Sequence, residues 1–253
     1  MAKGNLPAVL AETLMFEGGY SSNPKDPGNW TGGKVGAGKL LGTQKGIAAA
    51  SYPDRDIRNL TDAEIQSIYR QDFWNPVRGD DLPVGVDLSV FDAGVMSGPS
   101  RSAKWLQQVV GVKADGAIGP ATLAALKAAA PRSVIKGHCA KRLGFVQSLA
   151  IWNTFGKGWA RRTAGIEATA LAWVSSKAQL ESDVKSAKRA ANSQVGGVIA
   201  TGAGGAADQA NNLSGLPIGV VIAAVAIVAG VLFVRFAVNN QRAAALAKAA
   251  KEA

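Results

Sequence analysis

The chain has 253 residues, with 28 Lys and Arg against 18 Asp and Glu and a formal net charge of +10. That length holds one good-sized domain or two small ones, and the positive balance favours an anionic partner such as nucleic acid, anionic lipid or a wall polymer. The single cysteine, Cys139, excludes an intramolecular disulfide, and it has only the single histidine, His138, beside it, so no metal or other cofactor is expected.

Leu6, Val9, Leu10 and Leu14 fall at helical spacing, and Glu12 interrupts the apolar run. The segment therefore reads as an amphipathic first helix capped by Asn5, not as a signal peptide. It ends in Phe16-Glu17-Gly18-Gly19-Tyr20. Glycines let the chain turn sharply and leave room beside the carboxylate. A carboxyl against an apolar wall keeps its proton near neutrality, as a general acid in glycoside hydrolysis must. Alone, such a glutamate is more often a plain surface residue. Asp26 follows nine positions later in Asp26-Pro27-Gly28, and Thr43 lies in Gly42-Thr43-Gln44-Lys45-Gly46-Ile47. One loop can thus return a second carboxylate and a hydroxyl towards Glu17, and an inverting glycosidase needs such a base for its water. Residues 28–46 are the one long Gly-rich loop, with room for a small hairpin.

Thr61 and Glu64 form a capping box, and Ile65, Ile68, Tyr69 and Phe73 follow on or near one face. Residues 83–97 and 99–110 are two further apolar helices. Pro120 opens a short helix to about Ala129, Pro131 opens a longer one, and Gly158 precedes the last of this region. No sustained alternation argues for a large sheet, so the fold class is mainly α. Cys139 and His138 read as structural residues of a helix. Asp72 and Asp92 are acids that can line a cleft. Tyr20, Trp30, Tyr69 and Trp74 offer ring faces for sugars, although core packing is the commoner role for any one of them.

Residues 171–194 form a polar helix, and residues 195–215, rich in Gly, Ala, Ser and Asn, read as a flexible linker. Leu216 to Val234 carries nineteen residues without a charge. At about 1.5 Å per residue that is the thickness of a bilayer, so residues 216–238 are expected to span or anchor in one. The tail, residues 239–253, is basic; with Arg235 it places the C-terminus on the cytoplasmic side. The remainder then belongs on the far side, which a chain without a signal peptide does not readily reach, so the topology stays open.

These motifs together resemble glycoside hydrolase family 108, the Glu-Gly-Gly-Tyr N-acetylmuramidases of phages and bacteria. The resemblance rests on Glu17 to Tyr20, Asp26 to Gly28, Thr43 to Ile47, Ile68 to Arg70, Phe73-Trp74, Phe91-Asp92 and Ser97 to Pro99. It implies that Glu17 is the catalytic acid. The order Glu, Asp, Thr is also similar to that of phage-type lysozymes, which implies that Asp26 and Thr43 hold the hydrolytic water. Residues 31–42 stand as an insertion before Thr43. Trp105 to Gln107, Gly111-Val112, Asp115-Gly116, Ile118 to Pro120, Thr122 and Leu126 resemble the predicted peptidoglycan-binding domain that follows such catalytic domains.

The expected organisation is a lysozyme-like catalytic domain over 1–98, a helical peptidoglycan-binding region over 99–170, then the polar helix, linker, transmembrane helix and basic tail. Bacterial peptidoglycan and, through residues 216–238, a lipid bilayer are the expected partners. Peptidoglycan hydrolysis is the expected activity, in a phage endolysin or virion enzyme. The rival is a non-catalytic, membrane-anchored wall-binding or structural virion protein, against which the intact Glu17 motif argues. Nucleic-acid binding would rest on charge alone and is not expected.

Overall fold

A computed structural model describes residues 3–203 and 218–252, with side chains for residues 3–193 and 234–252. The chain divides into two units, Met1–His138 and Cys139–Ala253.

In the first unit α1 (Leu6–Leu14) is followed by a hairpin of β1 (Thr43–Gln44) and β2 (Ile47–Ala48). Helices α2 (Asp62–Tyr69), α3 (Val86–Ser97), α4 (Pro99–Val110) and α5 (Pro120–Ala128) come next, and α6 (Pro131–Gln147) crosses the boundary between the units. The mainly helical expectation holds, and the helix starts at Asp62, Pro99, Pro120 and Pro131 fall where the capping box and prolines put them. Helix α3 is the centre of this unit: every residue from Val86 to Gly94 is buried. Such a helix needs neighbours all round, and α1 and α4 are two of them. Gly98, at φ 88°, ends α3 in a conformation that suits glycine, and Pro99 begins α4 at once.

Asn5 does not cap α1 with its side chain. Its Nδ2 donates instead to Asp87 Oδ2 at 2.6 Å, tying the start of α1 to the start of α3. Burial pushes the Asp87 carboxyl above its usual value, and the Asn5 bond opposes that shift.

Past α2 the backbone widens into a five-residue π-helical turn, Arg70–Trp74, in which Asn75 N donates to Arg70 O at 2.8 Å. Such turns re-aim side chains within a helix and recur at functional sites.

The second unit holds the rest of α6, α7 (Trp152–Ala172), α8 (Lys177–Ala203) and α9 (Ile218–Glu252). Helix α9 packs on α8 and α7. The buried residues include Ile166, Ala170 and Leu171 of α7, Leu180, Ala187 and Ala191 of α8, and Val238, Ala243, Leu246 and Ala250 of α9. The many alanines leave little side chain between the helices, and Arg242 Nη2 meets Glu167 Oε1 at 2.5 Å. The Glu167 side chain is only 7% exposed, so that charge is held largely out of water.

Three sequence expectations meet a different geometry here. Helix α7 begins at Trp152 and runs through Gly156 and Gly158, because packing outweighs a cost of about 1 kcal/mol for each mid-helix glycine. Helix α8 continues to Ala203, through the first part of the stretch read as a linker, and residues 204–217 lie outside the described residues. No helix among the described residues is long and apolar enough to cross a membrane. The stretch expected to do so, Leu216 to Val234, falls almost wholly outside those with described side chains.

Thr61 Oγ1 accepts from Glu64 N at 3.3 Å, and Glu64 Oε2 accepts from Thr61 N at 2.9 Å. That backbone N–H, with the Thr61 hydroxyl, holds the Glu64 carboxyl below its usual value. Its contribution is therefore present above the unfolded pKa and is lost as pH falls through the folded one. Thr61→Ala is expected to lower stability by about 1 kcal/mol, measured by denaturant unfolding. The deficit should shrink in acid. Arg242→Ala should cost about 1–3 kcal/mol by leaving the Glu167 charge short of one partner, read as earlier melting of the second unit.

Candidate active site

Helix α1 ends in a tightened turn, with Phe16 N donating to Thr13 O and Glu17 N to Leu14 O, each at 3.1 Å. Glu17 thus leaves the helix where its apolar face stops. A β-carbon at Gly18 or Gly19 would meet no other group within 4 Å, so the volume beside this turn is open.

The hairpin closes on Glu17. Strands β1 and β2 pair Gln44 with Ile47, leaving Lys45-Gly46 as a two-residue turn. Both turn residues are left-handed, with φ of 45° and 78°, as a twisted two-residue hairpin requires. That conformation costs a lysine about 1–2 kcal/mol. Two bonds hold it: Tyr69 Oη donates to the Lys45 carbonyl, and Lys45 Nζ pairs with Asp62, each at 2.8 Å. At Gly46 a β-carbon would stand 2.8 Å from Tyr69 Oη and 3.0 Å from Glu17 Oε2. Position 46 therefore excludes a side chain twice, by its φ and by the closeness of the carboxylate.

Glu17 opens on a cavity of about 210 Å³. Gly46 and Ile47 of the hairpin, Ser51 and Tyr52 of the following loop, Tyr69 and Phe73 around the π turn, and Val95 and Met96 of α3 line the rest. The walls mix apolar side chains with the polar groups of Glu17, Ser51 and the tyrosines. The Tyr52 hydroxyl donates to Asp72 Oδ2 on that turn. Burial, and then the Asp72 carboxylate, push the Tyr52 phenol above its ordinary value, so it keeps its proton. The cavity thus sets a carboxyl group against a hydroxyl whose proton is already committed to Asp72.

Of the residues singled out from sequence, the structure brings Glu17 and Tyr69 into this lining and places Asp72 directly behind Tyr52. Tyr69 is 2% exposed and packs on Phe73 and Phe91, so it lines the cavity as a wall. Asp26 and Thr43 do not line it. Asp26 Oδ1 accepts from Gly28 N at 2.9 Å, capping its own turn. Thr43 Oγ1 donates to Asn29 Oδ1 at 2.7 Å. Asn29 is fully buried, and its carbonyl accepts from Leu41 N and Gly42 N, each at 3.0 Å. One asparagine thus joins the Asp26 turn to the strand that carries Thr43.

Tyr20 donates to Leu41 O at 3.2 Å and lies under the Arg58 guanidinium, 5.1 Å from the ring centre. Trp30 donates to Pro24 O at 2.9 Å. Trp74 and Asp92 are both 0% exposed. A buried ring cannot stack on a sugar: Trp74 fills the core instead, edge-on to Phe91 and flat over Gly79, where a β-carbon would clash with the indole. Asp92 is likewise an interior group of α3.

Sequence reading passed over Ser51 and Tyr52. The chain has three tyrosines, and Tyr52 was the one outside a recognised helix or motif. Its place opposite the hairpin depends on the loop after β2, where Tyr52 N donates to Ala48 O at 3.2 Å.

The second set of motif residues has a mechanical role. Gln107 of α4 is 1% exposed. Its Nε2 donates to Asp115 Oδ1 at 2.7 Å and to Ala117 O at 3.0 Å, and its Oε1 accepts from Gly116 N at 2.8 Å. The Ala117 N–H and then Gln107 hold the Asp115 carboxyl below its usual value. The Gln, Asp-Gly and Thr122 elements thus fix one loop between α4 and α5. His138 is buried beside Ser102 and edge-on to Trp105, as a structural residue.

Residues 10–98 match the glycosyl hydrolase 108 family, and residues 101–164 match a family described as a predicted peptidoglycan domain. The solved structure of SagA from Brucella abortus is similar, at 38% identity and a TM-score of 0.57, over 69% of this chain and 98% of that one. No curated protein matches the chain.

Gly46→Ala is expected to lose about a hundredfold in any activity that depends on the placement of Glu17. Gly36 also has a positive φ, of 79°, but open space around it. Gly36→Ala should therefore lose about 1 kcal/mol of stability with little loss of activity. Equal activity losses in the two variants would show that turn strain, and not contact with Glu17, is what matters.

Proposed function

Because the chain belongs to the glycosyl hydrolase 108 family, we propose that it is an N-acetylmuramidase that cleaves the β-1,4 bond between N-acetylmuramic acid and N-acetylglucosamine in peptidoglycan. The observation that carries this reading is the Glu17 carboxylate in the lining of a cavity, with the glycine turn of the hairpin packed against it. Glu17 protonates the glycosidic oxygen as the bond breaks, and water adds to the sugar carbon. The open space beside Gly18 and Gly19 gives a sugar ring room to approach the carboxylate. The match of residues 101–164 to a predicted peptidoglycan domain supports the same polymer as the partner.

Asp26 and Thr43 are proposed to hold the water on the order of the three residues in the sequence. Their support is Asn29, whose N–H donates to the Asp26 carbonyl at 3.2 Å and whose Oδ1 accepts from Thr43 Oγ1 at 2.7 Å, tying the Asp26 turn to the strand of Thr43. The net charge of +10 suits an anionic wall, and the uncharged stretch from Leu216 to Val234 suits attachment to a bilayer. The corresponding setting is a phage lytic enzyme held at the host inner membrane or in an internal membrane of the particle.

The test is mass spectrometry of fragments released from purified peptidoglycan by the full chain and by Glu17→Gln. Reducing N-acetylmuramic acid ends from the wild type alone are expected, with the variant slower by at least about a thousandfold. Anhydro ends would replace hydrolysis by transglycosylation, and release by well-folded Glu17→Gln would remove Glu17 from its role. Asp26→Asn at a near wild-type rate would remove Asp26.

A further inference from the structure

The cavity beside Glu17 holds one aromatic ring that neither the core nor the hairpin accounts for. Tyr69 is 2% exposed, and its hydroxyl holds the Lys45 carbonyl. Phe73 packs against Tyr69 with ring centres 5.5 Å apart. Tyr52 is half-buried, and among the described residues no other ring packs on it. Its faces are thus not taken up by another aromatic, although the residue belongs to the same lining as Glu17.

The ring is nevertheless fixed at both ends. At the backbone, Tyr52 N donates to Ala48 O at 3.2 Å and Tyr52 O accepts from Arg55 N at 3.1 Å, which keeps the residue in a turn against the end of β2. At the far end the hydroxyl donates to Asp72 Oδ2. Burial, and then the Asp72 carboxylate, hold the phenol in its protonated form, so the hydroxyl stays the donor of that bond. Asp72 lies on the π turn, one residue before Phe73, and is not part of the lining. A carboxylate outside the cavity therefore fixes a ring inside it. A half-exposed ring held in this way has given up its rotamer freedom before a ligand arrives, which spares the ligand the cost of ordering it. An aromatic face of this kind suits the apolar face of a pyranose.

We propose that Tyr52 is a substrate-binding residue whose ring packs on a sugar of the glycan strand beside Glu17, and that Asp72 is the positioning residue that holds it there. This inference rests on the muramidase reading of the site. It also gives the π turn a purpose, because adjacent positions of that turn supply the anchor of Tyr52 and, in Phe73, a further piece of the lining.

The test measures the rate of fragment release by the full chain against the concentration of purified sacculi, with melting curves of each variant alongside. Tyr52→Ala should lower kcat/KM by about tenfold or more. Tyr52→Phe keeps the ring and loses its anchor, and Asp72→Ala loses the anchor from the other side. Each should raise the half-saturating concentration about three- to tenfold with kcat little changed. The double variant Tyr52→Phe with Asp72→Ala should be no worse than either single one, because both remove the same bond. Asp72→Asn should restore binding, since its amide oxygen still accepts from the Tyr52 hydroxyl. Well-folded Tyr52→Ala with wild-type kcat/KM would overturn the proposal. Losses that add in the double variant would remove Asp72 from its positioning role, and losses confined to kcat would overturn a role in binding. Should Tyr52→Ala fail to fold, Tyr52→Phe decides: an unchanged half-saturating concentration overturns the proposal. A wild type that releases no fragments would instead overturn the muramidase reading, and this inference with it.

Discussion

The closeness of Gly46 to the Glu17 carboxylate is the constraint around which the first unit is arranged. A carboxyl group that works as an acid has to stand beside its substrate and away from bulk water. Here a hairpin tip is brought in so tightly that the residue facing the carboxylate has no side chain. That tip has only two residues, both left-handed, so its shape tolerates little change. Tyr69 then acts twice: its ring is part of the core beside Phe91, and its hydroxyl holds the Lys45 carbonyl of the tip. The position of Glu17 relative to the hairpin is thus coupled to the packing of α2 and α3.

Two buried amides act as fasteners for loops. Asn29 and Gln107 are both buried amides, each making bonds to loop backbone that no helix or sheet provides. A long loop leaves its N–H and C=O groups unmatched, and a buried amide with both donors and acceptors is well suited to match them. The Asp26 and Thr43 side chains are bound into this same loop framework. That matching explains how the Gly-rich stretch between residues 30 and 42 holds a defined path with almost no regular secondary structure.

The helices were legible because their signals are local. A capping box at Thr61 and prolines at 99, 120 and 131 each fix one end of a helix within a few residues. Glu17 was legible through its pattern with Gly18, Gly19 and Tyr20. The rest of the cavity was not, because its members come from four separate segments whose meeting depends on tertiary packing. Ser51 and Tyr52 carry no periodic signal. Trp74 and Asp92 were misplaced for the opposite reason: residue type suggests what a side chain can do, but burial decides whether it can reach a ligand. Helix α7 was cut short at Gly158 because a glycine's local preference was given more weight than the aromatic packing around it.

The Glu167–Arg242 pair spans 75 residues of chain, and so it closes a large ring from α7 out through α8 and back along α9. A ring of this kind has a direction built into it. While the pair holds, the basic end of α9 and the acidic residue of α7 can only move together. Parting the tail from α7 would first require that ion pair to be broken and the alanine-rich seam between α7, α8 and α9 to come apart.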